Sequence, residues 1–375
     1  MNLYQIGCRS VLSSAAACLA LASTTEAVAA SQVLWVAPYG VDTAHCGDRT
    51  HQCRSISQAI ENASAGATIE VAPGHYGDLN YDGQFDQSGE EHFDPQRGCV
   101  VCITKPVRIL SLFGATETVI DANNVAKTQQ YYYEDAVVHI YADNVTFGTK
   151  DHGFTVLNGS DAGILAKEVD YLRISGNIVL KNYRAGMSIQ ARDSATSVLI
   201  ADNIAIDNDF GISTRGRAVS VVRNFALGNI VGMAFTDSTV VNNIATANSN
   251  EGMILAGRNS TLRDNVMVGN PDAGLDVGIA AGSTISHNTI TGSRFGVNVG
   301  DTSGETVAVT SSNLYGNDAC GLINTSATVA QAVNNFWGAT SGPGPRPADQ
   351  VCNYNGSTTI VSPFATTEFP IYHPN

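Results

Sequence analysis

From Gly163 onward the apolar positions recur with a short period. In successive copies a glycine is followed by Ile164, Met187, Ile212, Met233, Met253, Leu275, Val297 and Leu322. Two positions further on stand Ala166, Ile189, Thr214, Phe235, Leu255, Val277, Val299 and Asn324, with mixed residues between. That two-residue alternation predicts a half-buried strand in every copy. An asparagine follows 11 to 17 residues after each glycine: Asn177, Asn203, Asn224, Asn243, Asn265, Asn288, Asn313 and Asn335. Behind it come Ile178, Ile204, Phe225, Ile244, Val266, Thr289, Leu314 and Phe336, which predicts a second buried strand per copy.

The glycines Gly163, Gly186, Gly211, Gly232, Gly252, Gly274, Gly296 and Gly321 lie 20 to 25 residues apart. A period of that length defines a stacked solenoid. Neither a leucine-rich signature nor room for a helix exists between the two strands, so the expected class is an all-β parallel β-helix. Asparagine tolerates left-handed turn angles and can bond its counterpart one rung away, so the asparagine column reads as structural. Residues 68–161 are expected to supply less regular rungs below the repeats. The sequence divides into residues 1–30, a single domain over 31–375 with its cap and entry strand at 31–76, an acidic insertion at 77–102, rungs at 103–338, and a closing cap and tail at 339–375.

Composition adds an address. Of the 375 residues, 43% are hydrophobic and only 14% charged, which argues against disorder. Arg9, the apolar run from Val11 to Ala22 and the small residues Ala27-Val28-Ala29 form a secretion signal, too short to span a bilayer. Export to the periplasm or the medium is therefore expected, with no membrane span. A net charge of −14 disfavours nucleic acid as a partner. The mature chain keeps six cysteines, Cys46, Cys53, Cys99, Cys102, Cys320 and Cys352. An even number in an exported chain favours disulfides, and proximity pairs Cys46 with Cys53, Cys99 with Cys102 and Cys320 with Cys352. A zinc site from the first four is the alternative.

The two ends carry a resemblance. Ile56, Ala59, Ile60 and Ala63 are spaced for one short amphipathic helix, and Thr68-Ile69-Glu70-Val71-Ala72-Pro73-Gly74-His75-Tyr76 reads as a strand and turn. A helix over an open coil end shields the core and the unpaired strand edge. With the closing motif Asn334-Asn335-Phe336-Trp337-Gly338, these residues resemble the pectin-lyase-like superfamily of right-handed parallel β-helix proteins. The resemblance implies a right-handed solenoid with a capping helix; for activity it implies only that lyases, hydrolases, epimerases and non-catalytic proteins are all candidates.

Candidate chemistry falls in three places. Asp78, Asn80, Asp82, Gln84 and Asp86 place oxygen donors in an EF-hand-like loop with Gly83 at the turn, and Glu90 lies just past the expected bidentate position. Calcium is the implied cofactor; a solvated acidic loop is the alternative. On the outer face of the first strand, Lys167, Gln190 and Arg215 are expected on successive rungs beside Ser188 and Ser213, with Arg192 and Arg217 at the next turn and Asp276 further along. A proton alpha to a uronate carboxylate is removed by a base while a cation stabilises the enediolate, and Lys167 or Arg215 suits either role. Tyr132, in a run of three tyrosines, is a candidate sugar platform. The coil offers no evident carboxyl pair for hydrolysis, since the neighbours expected for Asp276 are Ile254 and Asn298. The expectation is thus an exported protein acting on a polysaccharide, an acidic-glycan lyase or else a non-catalytic carbohydrate-binding or adhesin-like coil; the oligomeric state is not legible.

Overall fold

The computed structural model describes residues 32–371, apart from 83, 86, 124–134, 301 and 303. Segment 1–30, expected to be a secretion signal, and the loop and platform candidates Gly83, Asp86 and Tyr132 lie outside the described residues. From Gln32 onward the chain forms one compact unit. Among the described residues it is a right-handed parallel β-helix with three parallel sheets of 13, 11 and 10 strands. A complete rung contributes one strand to each sheet, so the full repeat holds three strands where the sequence pattern predicts two. The extra strand, for example Leu172–Ser175 or Val198–Ala201, precedes the asparagine.

Vertical register follows the sequence columns. Met187 pairs with Ile212 and that with Met233; Met253 pairs with Leu275, which pairs with Val297. All of these side chains are fully buried. The glycine column is needed for a different reason. A Cβ on Gly186 would stand 2.6 Å from the Gly211 carbonyl oxygen, and one on Gly252 would stand 2.6 Å from that of Gly274. Rungs close in on each other here, and only a missing side chain lets them.

Two polar ladders hold the turns. Asn177, Asn203, Asn224, Asn243, Asn265 and Asn288 are wholly or almost wholly buried. Asn177 accepts the Phe154 N–H, and each later member accepts the backbone N–H and the side-chain amide of the one before, as at Asn224 to Asn243 (2.8 and 3.0 Å). The next member is Ser312 and not the expected Asn313: Asn288 N–H donates to Ser312 Oγ, and Ser312 N–H to Asn335 Oδ1. Asn313 instead begins the following strand and bonds the tail at Phe369. A second ladder stands five residues after the first, through Asn182, Asn208, Asn229, Asn248 and Asn270, and through Asn317 to Asp349.

After Asn177, Asn203, Asn224, Asn243 and Asn265 the strand has the opposite phase from that predicted, whereas Thr289 and Leu314 are buried as predicted. Ile178, Phe225, Ile244 and Val266 point outward and are partly exposed, and Ile204 retains 36% of its surface. The core positions are their successors Val179, Ala205, Ala226, Ala245 and Met267. The ladder asparagine itself turns inward, so its neighbour in an extended strand must face out.

The ends are closed as the sequence implies. The helix Ile56–Asn62 is capped by Ser55 and buries Ile56, Ala59 and Ile60. Glu91, itself almost fully buried, accepts the N–H groups of Ile56 and Ser57, so the acidic insertion fastens the helix start. Burial pushes the Glu91 carboxyl above its ordinary range despite those bonds. Disulfides join Cys46 to Cys53, Cys99 to Cys102 and Cys320 to Cys352, the pairing expected from proximity, which removes the zinc alternative. Disulfides fit a chain that matures outside the reducing cytoplasm. Strand pairing continues to Ile360, inside the segment expected to be cap and tail. Among the described residues no helix is long and apolar enough to cross a membrane.

Candidate functional site

The outer face of the eleven-stranded sheet presents four columns of side chains. Register places Leu165, Ser188, Ser213, Ala234, Ile254, Asp276 and Asn298 in one, and Lys167, Gln190, Arg215 and Thr236 in the next. Toward the strand start, Ala136, Ala162, Ala185, Phe210 and Val231 form a third. Before it runs a turn column of Asp135, Asp161, Arg184 and Asp209, linked by backbone bonds from rung to rung.

A cleft of about 310 Å³ opens on this face. It is lined by Asp161, Ala162, Leu165, Lys167, Arg184, Ala185, Ser188, Phe210 and Ser213. Of the residues singled out from sequence it gathers Lys167, Ser188 and Ser213. Gln190 and Arg215 continue the Lys167 column just beyond it, and the Gln190 amide reaches Glu168 Oε1 at 3.2 Å. Arg192 is held elsewhere, with both terminal nitrogens 3.0 Å from the Asp143 carboxylate and a further bond to the Glu168 carbonyl. Arg217 is exposed in the turn beyond.

The turn column was missed because it precedes the repeat glycine by two residues, where the pattern is read as loop. Arg184 leans on Asp161 across 3.7 Å, both on the rim of the cleft. Burial raises the Asp209 carboxyl against the pull of Arg184, and burial followed by the Asp161 charge raises Asp135. Asp276 also has carboxyl company that the strand columns did not show. Asp272, from the turn side of the sheet, lies near enough to act on it, and Glu251 feels both charges. Burial first, and then Asp276 and Asp272, push the Glu251 carboxyl above the usual carboxylate range, and burial followed by Asp272 does the same to Asp276. Asn298 donates to Asp276 at 3.2 Å.

In the acidic loop the donors face one another and the loop backbone. Asp78, fully buried, accepts the Tyr81 N–H at 2.8 Å and the Asn123 amide at 3.0 Å. Asn80 and Asp82 bond each other, Asp82 accepts the Gln84 N–H, and Glu90 accepts from Leu79 and Gln87. Among the described residues, the only group of acid, histidine and cysteine ligand atoms close enough for one ion is Asp42, Cys46 and Cys53. Its two sulfurs form a disulfide.

This architecture is a right-handed parallel β-helix, the fold that the resemblance to pectin-lyase-like proteins implied. The family model described as periplasmic copper-binding protein (NosD) matches residues 223–341, less than half of the chain. Among solved structures, pectate lyase Pel9A aligns at a TM-score of 0.52 and 14% identity, covering 91% of this chain and 80% of that one. The catalytic unit of a GH87 alpha-1,3-glucanase from Streptomyces thermodiastaticus strain HF3-3 aligns at 0.52 and 16%, covering 85% and 67%. The GH136 lacto-N-biosidase from Eubacterium ramulus aligns at 0.50 and 10%, covering 90% and 68%. No curated protein matches by sequence. At such identities the likeness is one of fold.

Proposed function

We propose that this is an exported protein that cleaves an acidic polysaccharide by β-elimination on the outer face of the eleven-stranded sheet. The observation that carries the reading is the cleft with Lys167 and Arg184 on its rim and the hydroxyls of Ser188 and Ser213 nearby. A chain of net charge −14 repels a polyanion at large, so local cations are required where one binds. The structural neighbours whose names specify a pectate, a glucan and a biose support a glycan as the ligand of a coil of this fold. They do not choose the reaction.

In the proposed chemistry Arg184 pairs with the uronate carboxylate, its planar fork matching the two oxygens. Neutralising that carboxylate acidifies the adjacent C–H. Lys167, in its neutral form, takes the proton alpha to the carboxylate. The C–H pair becomes the new double bond as the glycosidic C–O bond breaks, and a proton passes to the departing oxygen. Ser188 and Ser213 orient the ring. Arg215, two rungs or about 10 Å from Lys167, meets a further sugar of the same chain.

Calcium belongs to the same proposal in a lesser role, ordering the 78–90 loop. The engaged oxygens of Asp78, Asp82 and Glu90 must then turn from the backbone to the ion. Copper binding, named by the matched family, does not fit this segment. Met233, Met253 and Met267 are wholly buried in the core, and His287 lies edge-on to Phe369 at 6.0 Å.

The test is a panel of polyuronates, followed by absorbance of the unsaturated product. Lys167→Ala and Arg184→Ala are each expected to lower the rate at least 100-fold with the melting temperature preserved. Unchanged rates in both variants would discard the assignment. Retention of a polymer without product would favour a non-catalytic glycan-binding protein.

A further inference from the structure

Of the three disulfides, Cys99–Cys102 contributes least to the fold. Cys320–Cys352 ties two paired strands of the closing rungs across 32 residues, and Cys46–Cys53 ties the loop that bonds the edge of the first strand. Cys99 and Cys102 lie three residues apart on one strand, Cys99–Ile103, which is already paired along its length with Ala136–Ile140. A bridge that closes so short a loop removes little freedom from the unfolded chain. Its two sulfurs also differ in access. Cys99 is fully buried, whereas Cys102 is partly exposed and lines a separate pocket of about 240 Å³. Glu61 of the capping helix, His92 and Arg97 of the acidic insertion, and Lys105 line the same pocket. Arg97 is paired with Asp94 at 2.6 Å. Lys105 donates to the carbonyls of Glu61 and Ala63 at 2.6 and 3.0 Å, neutral acceptors that leave its charge in place. On the next rung His139 stands in register with Cys102, about 4.8 Å away by strand spacing. Positive side chains draw an incoming thiolate toward Cys102 and favour the thiolate of Cys102 once it is reduced.

We propose that Cys99–Cys102 is an exchangeable disulfide that oxidises a small thiol bearing a carboxylate. The incoming thiolate attacks Cys102 Sγ. A new S–S bond forms as the Cys99–Cys102 bond breaks, and the electron pair leaves on Cys99 Sγ, which takes up the proton that the incoming thiol gave up. A second thiolate attacks the ligand's sulfur in that mixed disulfide, which frees the Cys102 thiol and releases the ligand's own disulfide. Two small thiols are thus oxidised and one protein disulfide is reduced to two thiols. A low-molecular-weight disulfide restores the bridge by the reverse steps. A pocket of this size suits a small molecule and not the face of a folded partner. Lys105 meets the carboxylate of the thiol. The glycan cleft plays no part here, and either reading stands without the other.

The experiment incubates the full-length mature protein with reduced glutathione, or with cysteamine, which lacks a carboxylate. Freed cysteines are alkylated and located by peptide mass mapping. With glutathione, Cys99 and Cys102 are expected to be labelled at least about tenfold faster than the cysteines of the other two bridges. The selectively reduced protein should keep its melting temperature. In the presence of oxidised glutathione, Cys99→Ser should carry the mixed disulfide on Cys102, while Cys102→Ser should leave the buried Cys99 unmodified. Lys105→Gln, which keeps a donor for the Glu61 and Ala63 carbonyls, should slow glutathione and leave cysteamine unaffected. Labelling of all three bridges at one rate, or of Cys99 and Cys102 last, would overturn the inference, and that mapping on the wild type needs no variant to fold. Modification of Cys99 in Cys102→Ser as fast as that of Cys102 in Cys99→Ser would overturn the assignment of Cys102 as the attacked sulfur. An unchanged glutathione rate in Lys105→Gln would overturn the carboxylate-bearing thiol as its ligand.

Discussion

Replacing Asn243 by alanine tests the ladder as a source of stability. The side chain is fully buried. Its oxygen accepts the Asn224 N–H at 2.8 Å and the Asn224 amide at 3.0 Å; its nitrogen donates to the carbonyls of Val221 (2.8 Å) and Val241 (3.1 Å) and to Asn265 Oδ1 (3.1 Å). Not every partner is stranded by the substitution. Asn265 Oδ1 keeps the Asn243 backbone N–H, and the Asn224 amide keeps the Ile200 and Val222 carbonyls. The Asn224 N–H is the donor left with nothing. One orphaned buried donor costs about 1–3 kcal/mol, and the lost net bonds add about 1 kcal/mol each. The expected loss is about 4 kcal/mol, read as a fall in the urea midpoint. Asn243→Ser provides the control, because Ser312 already fills this position in its own rung and accepts the Asn288 N–H. Serine rescues the orphan but not the amide donors, so it should cost about half as much. A loss below about 1 kcal/mol for alanine, or equal losses for both variants, would refute the claim that the orphaned donor dominates.

Three further expectations follow from other parts of the coil. Gly252→Ala drives a Cβ to 2.6 Å from the Gly274 carbonyl oxygen and 2.7 Å from the Asn270 amide, and should cost about 3 kcal/mol in the same urea titration. The Glu251 carboxyl is raised in the fold by burial and by Asp276 and Asp272. Protonation therefore favours the native state, and this share of stability is lost as pH rises through the folded value. Glu251→Gln should raise the melting temperature at pH 8 and leave it unchanged at pH 4; a uniform shift at both would exclude the like-charge origin. Asp82→Ala should lower the melting temperature in calcium and not in chelator, while equal losses in both would exclude the ion from the 78–90 loop.

The fold was legible wherever a column is forced by contact between rungs. The glycine column is one such case, since a carbonyl of the next rung stands where a Cβ would go. The asparagine column is another, and its errors are instructive. Ser312 does the work of an asparagine because the ladder needs an oxygen acceptor more than an amide, and Asn313 next door attracted the assignment. The second ladder carried a signal that was available: it keeps a five-residue offset from the first, from Asn182 through Asn270. The third strand of each rung was hidden for want of a marker residue. It runs into the ladder asparagine through one tight turn, as Leu172–Ser175 does before Asn177.

The site was legible as a stripe and not as a cleft, and the reason is geometric. Alternation along a strand tells inside from outside, so it placed Lys167, Ser188 and Ser213 on one face, and register confirmed their order. It says nothing about depth, which depends on the volumes of neighbours on adjacent rungs and on where each turn lies. Ala162 and Ala185 read as two small residues before a glycine until stacking joins them with Ala136 in one column. Arg184 reads as a turn residue until the same stacking puts it on the rim of the cleft that Lys167 also lines. The phase error after the asparagine has the same root. A strand flanked by an inward-turning polar residue cannot keep its next apolar side chain inside, so Ile178, Ile204 and Phe225 go to the surface of the ten-stranded sheet. In a solenoid the unit of meaning is the vertical column. A column must be read together with the one beside it before either a core or a binding surface is assigned.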